Sequence, residues 1–249
     1  MLINLLNNLD EFKYKRIIVN DINSNIINFY KLLRDDYKYL KKELAKIEKE
    51  YNSLNNLSEK QDYYYGVREI FNRKANKRKT VLFLFLMKAG FNGVYRENAH
   101  GSFNVPFGKK EIIRFDYENL KSISSLIKDV EFYNVDYIEL FKDLKSRRLL
   151  KSVFVYCDPP YLPEDLVINK KQNIYTSEQF DHEMFSSFMR NLKNASCMIS
   201  MTDSEISNKI YKGFKKNTAR ELIRSINPNK CFVSTEVVFC NYSVDKWKK

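Results

Sequence analysis

Where the apolar run Ser152-Val-Phe-Val-Tyr-Cys157 meets Asp158-Pro159-Pro160-Tyr161, this 249-residue chain places four residues that could do chemistry together. The run reads as a core strand. Two prolines then end it and hold the backbone extended, so the Asp158 carboxylate and the Pro159 carbonyl can face outward at the carboxyl edge of a sheet. The amino group of adenine is a poor nucleophile because its lone pair is conjugated with the ring. A carboxylate and a carbonyl that accept its two N–H bonds favour the pyramidal nitrogen needed for attack on a methyl sulfonium, and Tyr161 offers a ring on which an extruded base can stack. Asp158, Pro159, Pro160 and Tyr161 are therefore the catalytic candidates. The bland alternative is a strand stop followed by an ordinary Pro-Pro turn.

Other elements must position that turn. Arg16-Ile-Ile-Val-Asn20 is short, β-branched and flanked by charge, as a buried parallel strand should be, and Ile22, Ile26, Phe29 and Leu33 then recur at helical spacing. Asp21 lies between the two, where an acid can equally serve as a helix N-cap. Two more core strands are expected at Cys197–Met201 and Val233–Cys240. A helix capped by Thr176 or Ser177 should precede them, with Phe180, Met184 and Phe188 on one face. Strands alternating with helices define an α/β fold whose ligand sites lie at the carboxyl ends of its strands. Residues 36–60 are dense in Lys, Glu, Leu and Tyr with helical periodicity, and Tyr63–Met87 continues as helix with a basic middle. Between residues 68 and 80, Arg68, Arg73, Lys74, Lys77, Arg78 and Lys79 face the single acid Glu69. Asn92–Phe107, rich in Gly, Asn and aromatics, should form a loop or hairpin.

Composition narrows the partners. Forty-three Lys and Arg against 31 Asp and Glu leave a formal charge of +12, which suits a polyanion such as nucleic acid. The longest apolar run, Val81–Met87, is far too short for a membrane span, and Met1–Asp10 carries no basic n-region, so no membrane partner and a soluble, cytoplasmic protein are expected. Cys157, Cys197, Cys231 and Cys240 form no CxxC pair and sit in or beside strand-like runs. They read as buried thiols, with no metal site.

With these residues in place, the chain resembles the amino-methyltransferases, and within them the Dam-type DNA adenine-N6 methyltransferases. Tyr14–Asn23 is similar to the family's second strand, whose terminal acid holds the ribose hydroxyls of S-adenosylmethionine. Phe91-Asn92-Gly-Val-Tyr-Arg96-Glu-Asn98-Ala-His100-Gly101-Ser-Phe103-Asn104-Val-Pro106-Phe107-Gly108-Lys109 resembles, almost residue for residue, the Dam hairpin that enters the DNA groove. Phe132–Leu140, Ser200–Asp203, Arg224–Asn227 and Thr235–Tyr242 match later strand ends and the C-terminal hairpin, in family order. The resemblance implies S-adenosylmethionine as cofactor, held by Asp21, Ile22, Phe132, Asp136, Tyr137 and Asp158. It implies double-stranded DNA as partner, met by Arg68, Arg73, Lys77, Asn92, Arg96, Asn98, His100, Pro106 and Lys109. GATC is the implied target. The family's basic residue before the hairpin glycine is His100 here, which can donate to guanine but lacks a bidentate fork.

The implied architecture is an S-adenosylmethionine-dependent, Rossmann-like methyltransferase sheet with an inserted helical DNA-recognition subdomain. Residues 1–35 and 121–249 would form the catalytic domain, and residues 36–120 the recognition subdomain. The family's glycine-lysine turn and Phe-x-Gly-x-Gly donor loop are not found in this sequence, whose six glycines lie between Gly66 and Gly213. Three readings of the function compete. The first is an enzyme completed by a separate N-terminal polypeptide or an upstream start, and the second a non-catalytic or split-gene DNA-binding remnant. The third, an RNA or protein-glutamine methyltransferase, usually carries Asn-Pro-Pro-Tyr and has no reason to keep the hairpin.

Overall fold

The computed structural model describes residues 2–8, 14–73, 76–150, 153–162, 180–192, 195–227 and 230–243. The chain forms two compact units, Met1–Lys142 and Asp143–Lys249. That cut differs from a division at residues 35 and 120. The reason is packing: the helices after residue 36 share one core with those before it.

In the first unit, α1 (Leu2–Asn7) precedes β1 (Ile17–Asn20). Then α2 (Ser24–Asp35) is capped by Asn23, whose side chain accepts from the Asn25 amide, so Asp21 is not the cap. The Asp36 carboxylate caps α3 (Tyr37–Asn52), which buries Leu40, Leu44, Ile47 and Tyr51 at i, i+4, i+7, i+11 spacing. The basic stretch expected to be one helix is two, α4 (Leu57–Arg73) and α5 (Lys77–Ala89). Asn76 interrupts them because its side chain accepts the Arg78 amide and starts a new helix. Buried residues occur all around α5, including Val81, Leu82, Phe83, Phe85, Leu86 and Ala89, as in a central core helix. Rings of Tyr51 and Tyr63 meet Phe85 edge-on, each at 5.6 Å. After α6 (Tyr117–Leu126), β2 (Val130–Tyr133) pairs in parallel with β1, Asn20 opposite Tyr133. The chain then enters α7 (Tyr137–Ser146).

In the second unit, β3 (Val153–Cys157) pairs in parallel with β4 (Ala195–Thr202), Cys157 opposite Ile199. A long antiparallel hairpin of β5 (Lys215–Asn227) and β6 (Lys230–Cys240) completes a sheet in the order β3-β4-β6-β5. Strand β4 is central and buries Cys197, Ile199 and Met201 on one face and Ser200 and Thr202 on the other. Cys157 and Met201 thus belong to one sheet, as expected. The described strands form two hydrogen-bonded sheets, β1-β2 and this one, so the fold is mixed α/β.

Helix α8 (His182–Arg190) corrects the expected apolar face. Its cap is Asp181, and it buries His182, Phe185, Ser186 and Met189, while Met184 is exposed. Phe180 sits before the cap and meets Phe185 at 5.2 Å, the staple that fixes the entry of the chain. Thr176 and Ser177 lie outside the described residues. Helix α9 (Glu205–Ile210) starts at a Ser204–Ser207 capping box. Cys197 and Cys240 are buried free thiols and Cys157 is partly buried. A hydrogen bond shared with Cys197, and then burial, push the Cys157 thiol far above its ordinary range. The Cys231 side chain lies outside the described residues. Among the described residues, no helix is long and apolar enough to cross a membrane.

Candidate active site

The strand-to-turn junction has the form its sequence demands. Along β3, Phe154, Tyr156 and then Asp158 occupy one face, which is exposed, and alternate with the half-buried Val153, Val155 and Cys157. Pro159 is buried and anchors the turn, whereas Asp158 and Pro160 are exposed. The parallel register carries Ser200 to the place beside Asp158, one step beyond the Cys157–Ile199 pair. The Ser200 hydroxyl donates to Asp158 Oδ1 at 2.7 Å and lies 3.3 Å from the Cys157 carbonyl. It accepts from the Tyr156 hydroxyl at 3.1 Å. Desolvation raises the Tyr156 and Tyr161 phenols, with Ser200 opposing the rise in each case. On β6, Glu236 is engaged by Arg220 of β5 at 2.8 Å. His182, the first residue of α8, joins its Nδ1 to the Tyr211 hydroxyl at 2.9 Å and has the Pro160 carbonyl as a hydrogen-bond partner. Burial dominates and lowers the His182 pKa, which favours the neutral ring.

In the first unit, the ends of β1 and β2 are stitched together by asparagines. Asn20 and Val135 exchange two bonds, Nδ2 to carbonyl at 3.0 Å and amide to Oδ1 at 3.2 Å, and Asn134 Nδ2 donates to the Asp21 and Ile22 carbonyls at 2.8 and 2.9 Å. Asp21 emerges half-buried at this edge. Burial raises its pKa, opposed by the Asn23 amide that donates to its Oδ1 at 2.7 Å. Ile22 is exposed beside it. Asp136 lies at the end of the neighbouring strand, with Oδ1 taken by the Ile138 amide of α7, and Tyr137 begins that helix, half-buried. Phe132 is a different case. Its ring is buried, stacked on Tyr30 at 5.3 Å with the Arg34 guanidinium 5.5 Å away, so it supports the edge from the core.

The Asn92–Phe107 segment is a hairpin, bridged at Gly90–Phe107 and Glu97–Phe103. Asn98 makes its turn, since Oδ1 accepts from the His100 and Ser102 amides, both at 3.0 Å, and Gly101 supplies the positive φ of 71°. Hydrogen bonds Asn98 N to Ser102 O and Asn104 N to Arg96 O flank the Glu97–Phe103 pair. The N–H and C=O of Phe103 therefore point away from the opposite arm. Asn72 of α4 takes both, at 2.9 and 3.1 Å. The Val105 carbonyl accepts from the Tyr64 hydroxyl at 3.0 Å and from Arg68 at 3.1 Å. Phe103, Val105 and Phe107 are buried. A Cβ at Gly108 would meet the Gly90 carbonyl at 2.6 Å, and one at Gly90 the Leu86 carbonyl at 2.6 Å, so both glycines permit a close backbone approach.

The candidate DNA residues therefore separate. Asn92, Arg96, Asn98, His100, Pro106 and Lys109 are exposed on or beside the hairpin, with Arg96 steadied by Asn104 at 2.8 Å and with Asn92 and Lys109 at positive φ. Arg68 is turned inward as a prop, Lys77 pairs with Asp36, and Arg73 projects with only a loose contact to Glu69 at 3.7 Å. Neither Ser200 as a partner of Asp158 nor Asn72, Tyr64 and His182 stands out in the linear sequence. Their signal is spatial, because each acts on backbone or side chains tens of residues away.

A mixed α/β protein with an Asp-Pro-Pro-Tyr turn at a strand end and a helix-propped basic hairpin matches one class on comparison with known proteins. Residues 4–226 match the family described as D12 class N6 adenine-specific DNA methyltransferase, and the chain belongs to that family. It is similar to the type II methyltransferase M.MjaIII of Methanocaldococcus jannaschii, with 32% identity over 251 residues that cover 94% of this chain and 83% of the relative. The DNA adenine methylase of Escherichia coli K12 is 32% identical over 225 residues, covering 87% of this chain and 75% of that one. The DNA adenine methylase of Haemophilus influenzae is 26% identical over 225 residues, covering 87% and 73%.

Proposed function

We propose that this adenine-N6 DNA methyltransferase works through Asp158, Pro159 and Tyr161, with S-adenosylmethionine as donor and GATC as target. The observation that carries the reading is the Asp158 carboxylate, exposed at the end of β3 with Oδ1 already held by Ser200. Its Oδ2 and the Pro159 carbonyl would accept the two N–H bonds of the target amino group, and the carboxylate would hold the proton that N6 sheds as its new bond forms. Tyr161 would stack against the extruded base, and Pro160 keeps the turn extended.

The residues at the β1–β2 edge fit the donor's nucleoside. Asp21 is a desolvated carboxylate with one oxygen fixed by a backbone amide, suited to a ribose diol, and the exposed Ile22, with Asp136 and Tyr137 beside it, would flank the base. Phe132 would support that surface from beneath. S-adenosylmethionine, when bound, supplies an electrophilic methyl group. Residues 36–120 would carry target recognition, with the hairpin entering the duplex and His100 at its tip.

Asp158→Ala should remove methyl transfer to adenine while leaving DNA affinity within about threefold, because it deletes contacts needed mainly in the transition state. Transfer and binding are measured on the full chain, alone and with a second polypeptide carrying a glycine-rich donor loop. Comparable loss of binding and turnover would mark Asp158 as structural. Sequence-selective binding with no transfer in either form would favour the DNA-binding remnant.

A further inference from the structure

Ser200 is only 8% exposed, yet its hydroxyl lies at the centre of the motif's polar groups. A hydroxyl has one proton to give and two lone pairs to fill. The Tyr156 hydroxyl donates into Oγ at 3.1 Å, and the Tyr161 hydroxyl is a second hydrogen-bond neighbour. Two acceptors compete for the single Ser200 proton, the Cys157 carbonyl at 3.3 Å and Asp158 Oδ1 at 2.7 Å. The carboxylate is both nearer and charged, so the proton goes there. Strand alternation explains why these groups meet. Tyr156 and Asp158 share one face of β3, and the parallel register sets Ser200 on the same face of β4.

We propose that Ser200, steered by Tyr156, is the positioning residue of the active site: it pins Oδ1 of Asp158 and so presents Oδ2 to the adenine amino group. An exposed aspartate has two soft side-chain torsions and would otherwise sample many orientations. The bond from Ser200 removes that freedom before substrate arrives. Tyr156 deepens the effect by occupying a lone pair of Oγ and directing the serine proton outward. The proposal rests on Asp158 being the group that meets adenine.

The test compares Ser200→Ala, Ser200→Thr and Tyr156→Phe with the wild-type full chain, and uses Ser196→Ala as a control at an exposed position of the same strand. Ser200→Ala should lower kcat on the order of 10- to 100-fold, the worth of one bond to a charged group, with DNA affinity and donor KM within about threefold. Ser200→Thr keeps the hydroxyl and should restore most of the rate. Tyr156→Phe should fall between Ser200→Ala and wild type. An unaltered kcat in Ser200→Ala, a loss that falls equally on DNA affinity, or a loss that threonine does not restore, overturns the positioning role. A wild-type chain that transfers no methyl, with or without a supplied donor loop, sinks the assignment of Asp158 beneath it.

Discussion

The turn at Asp158–Tyr161 and the hairpin at Asn92–Phe107 are both short polar segments, yet they are held in different ways. The turn follows from its own sequence: a strand delivers it, two prolines fix it, and one neighbouring strand supplies Ser200. The hairpin is also held from outside its own arms. It has only two isolated bridges, and its second arm hangs from α4 through Tyr64, Arg68 and Asn72. A catalytic carboxylate needs one orientation, which a rigid strand end gives cheaply. A groove-reading loop needs its tip exposed and its base fixed, and helices beneath it supply that fixing.

The largest effect expected on the hairpin side is from Asn72→Ala. Both backbone groups of Phe103 lose their partner at once, and Phe103 itself is buried. The variant should lose about 2 kcal/mol of stability by urea denaturation. Discrimination between target and single-base variants should fall more than non-specific affinity does. If discrimination survives intact, the hairpin is rigid without α4 and the contrast with the turn disappears.

This contrast also governs what was legible in the sequence. The Asp158 turn was readable because its determinants are contiguous, and Gly101 and the alternating Phe103, Val105 and Phe107 marked a hairpin for the same local reason. Its props were not readable, because Asn72 and Tyr64 lie 31 and 41 residues from the groups they bond. Asn76 was lost among basic residues that all favour helix, although its short side chain is a good cap. In α8 the buried face contains His182 and Ser186, polar types that an apolar-periodicity reading passes over. Their burial depends on partners elsewhere, Tyr211 for the histidine and the Ile210 carbonyl for the serine. The edge of β1 and β2 falls between these cases. Asp21 was visible as a strand-end acid, but the asparagine stitching that fixes it was not.

A smaller effect, one of gain, is expected at the hairpin tip. His100 is exposed with its backbone amide fixed by Asn98, so its side chain is free to be exchanged without unfolding the turn. His100→Arg would place a bidentate donor there and should raise discrimination for a guanine-containing site by about 1 kcal/mol, the low end for such a pair. The measurement is methylation of GATC and its single-base variants by both proteins. Equal rates on every variant, or a preference for an unrelated site, would show that the tip does not read sequence, and recognition would then have to be sought elsewhere.

The smallest effect separates two cations that the sequence made look alike. Arg73 is 80% exposed in its side chain and meets Glu69 only at 3.7 Å, an exposed i,i+4 contact that contributes little. Lys77 is engaged by Asp36, the carboxylate that also caps α3, and its ammonium lies 4.3 Å from the Tyr39 ring. A cation that already has a protein partner releases fewer counterions from DNA than a free one. Arg73→Ala should therefore weaken binding evenly across sequences and reduce the slope of log Kobs against log salt by about one. Lys77→Ala should move that slope less and show its effect instead as a slight loss of stability, since Asp36 loses its counter-charge. Binding isotherms on a target and a scrambled duplex over a range of salt concentrations decide the matter. If Lys77→Ala changes the slope as much as Arg73→Ala does, the Lys77–Asp36 pair opens on DNA, and the start of α5 belongs to the contact surface with the hairpin.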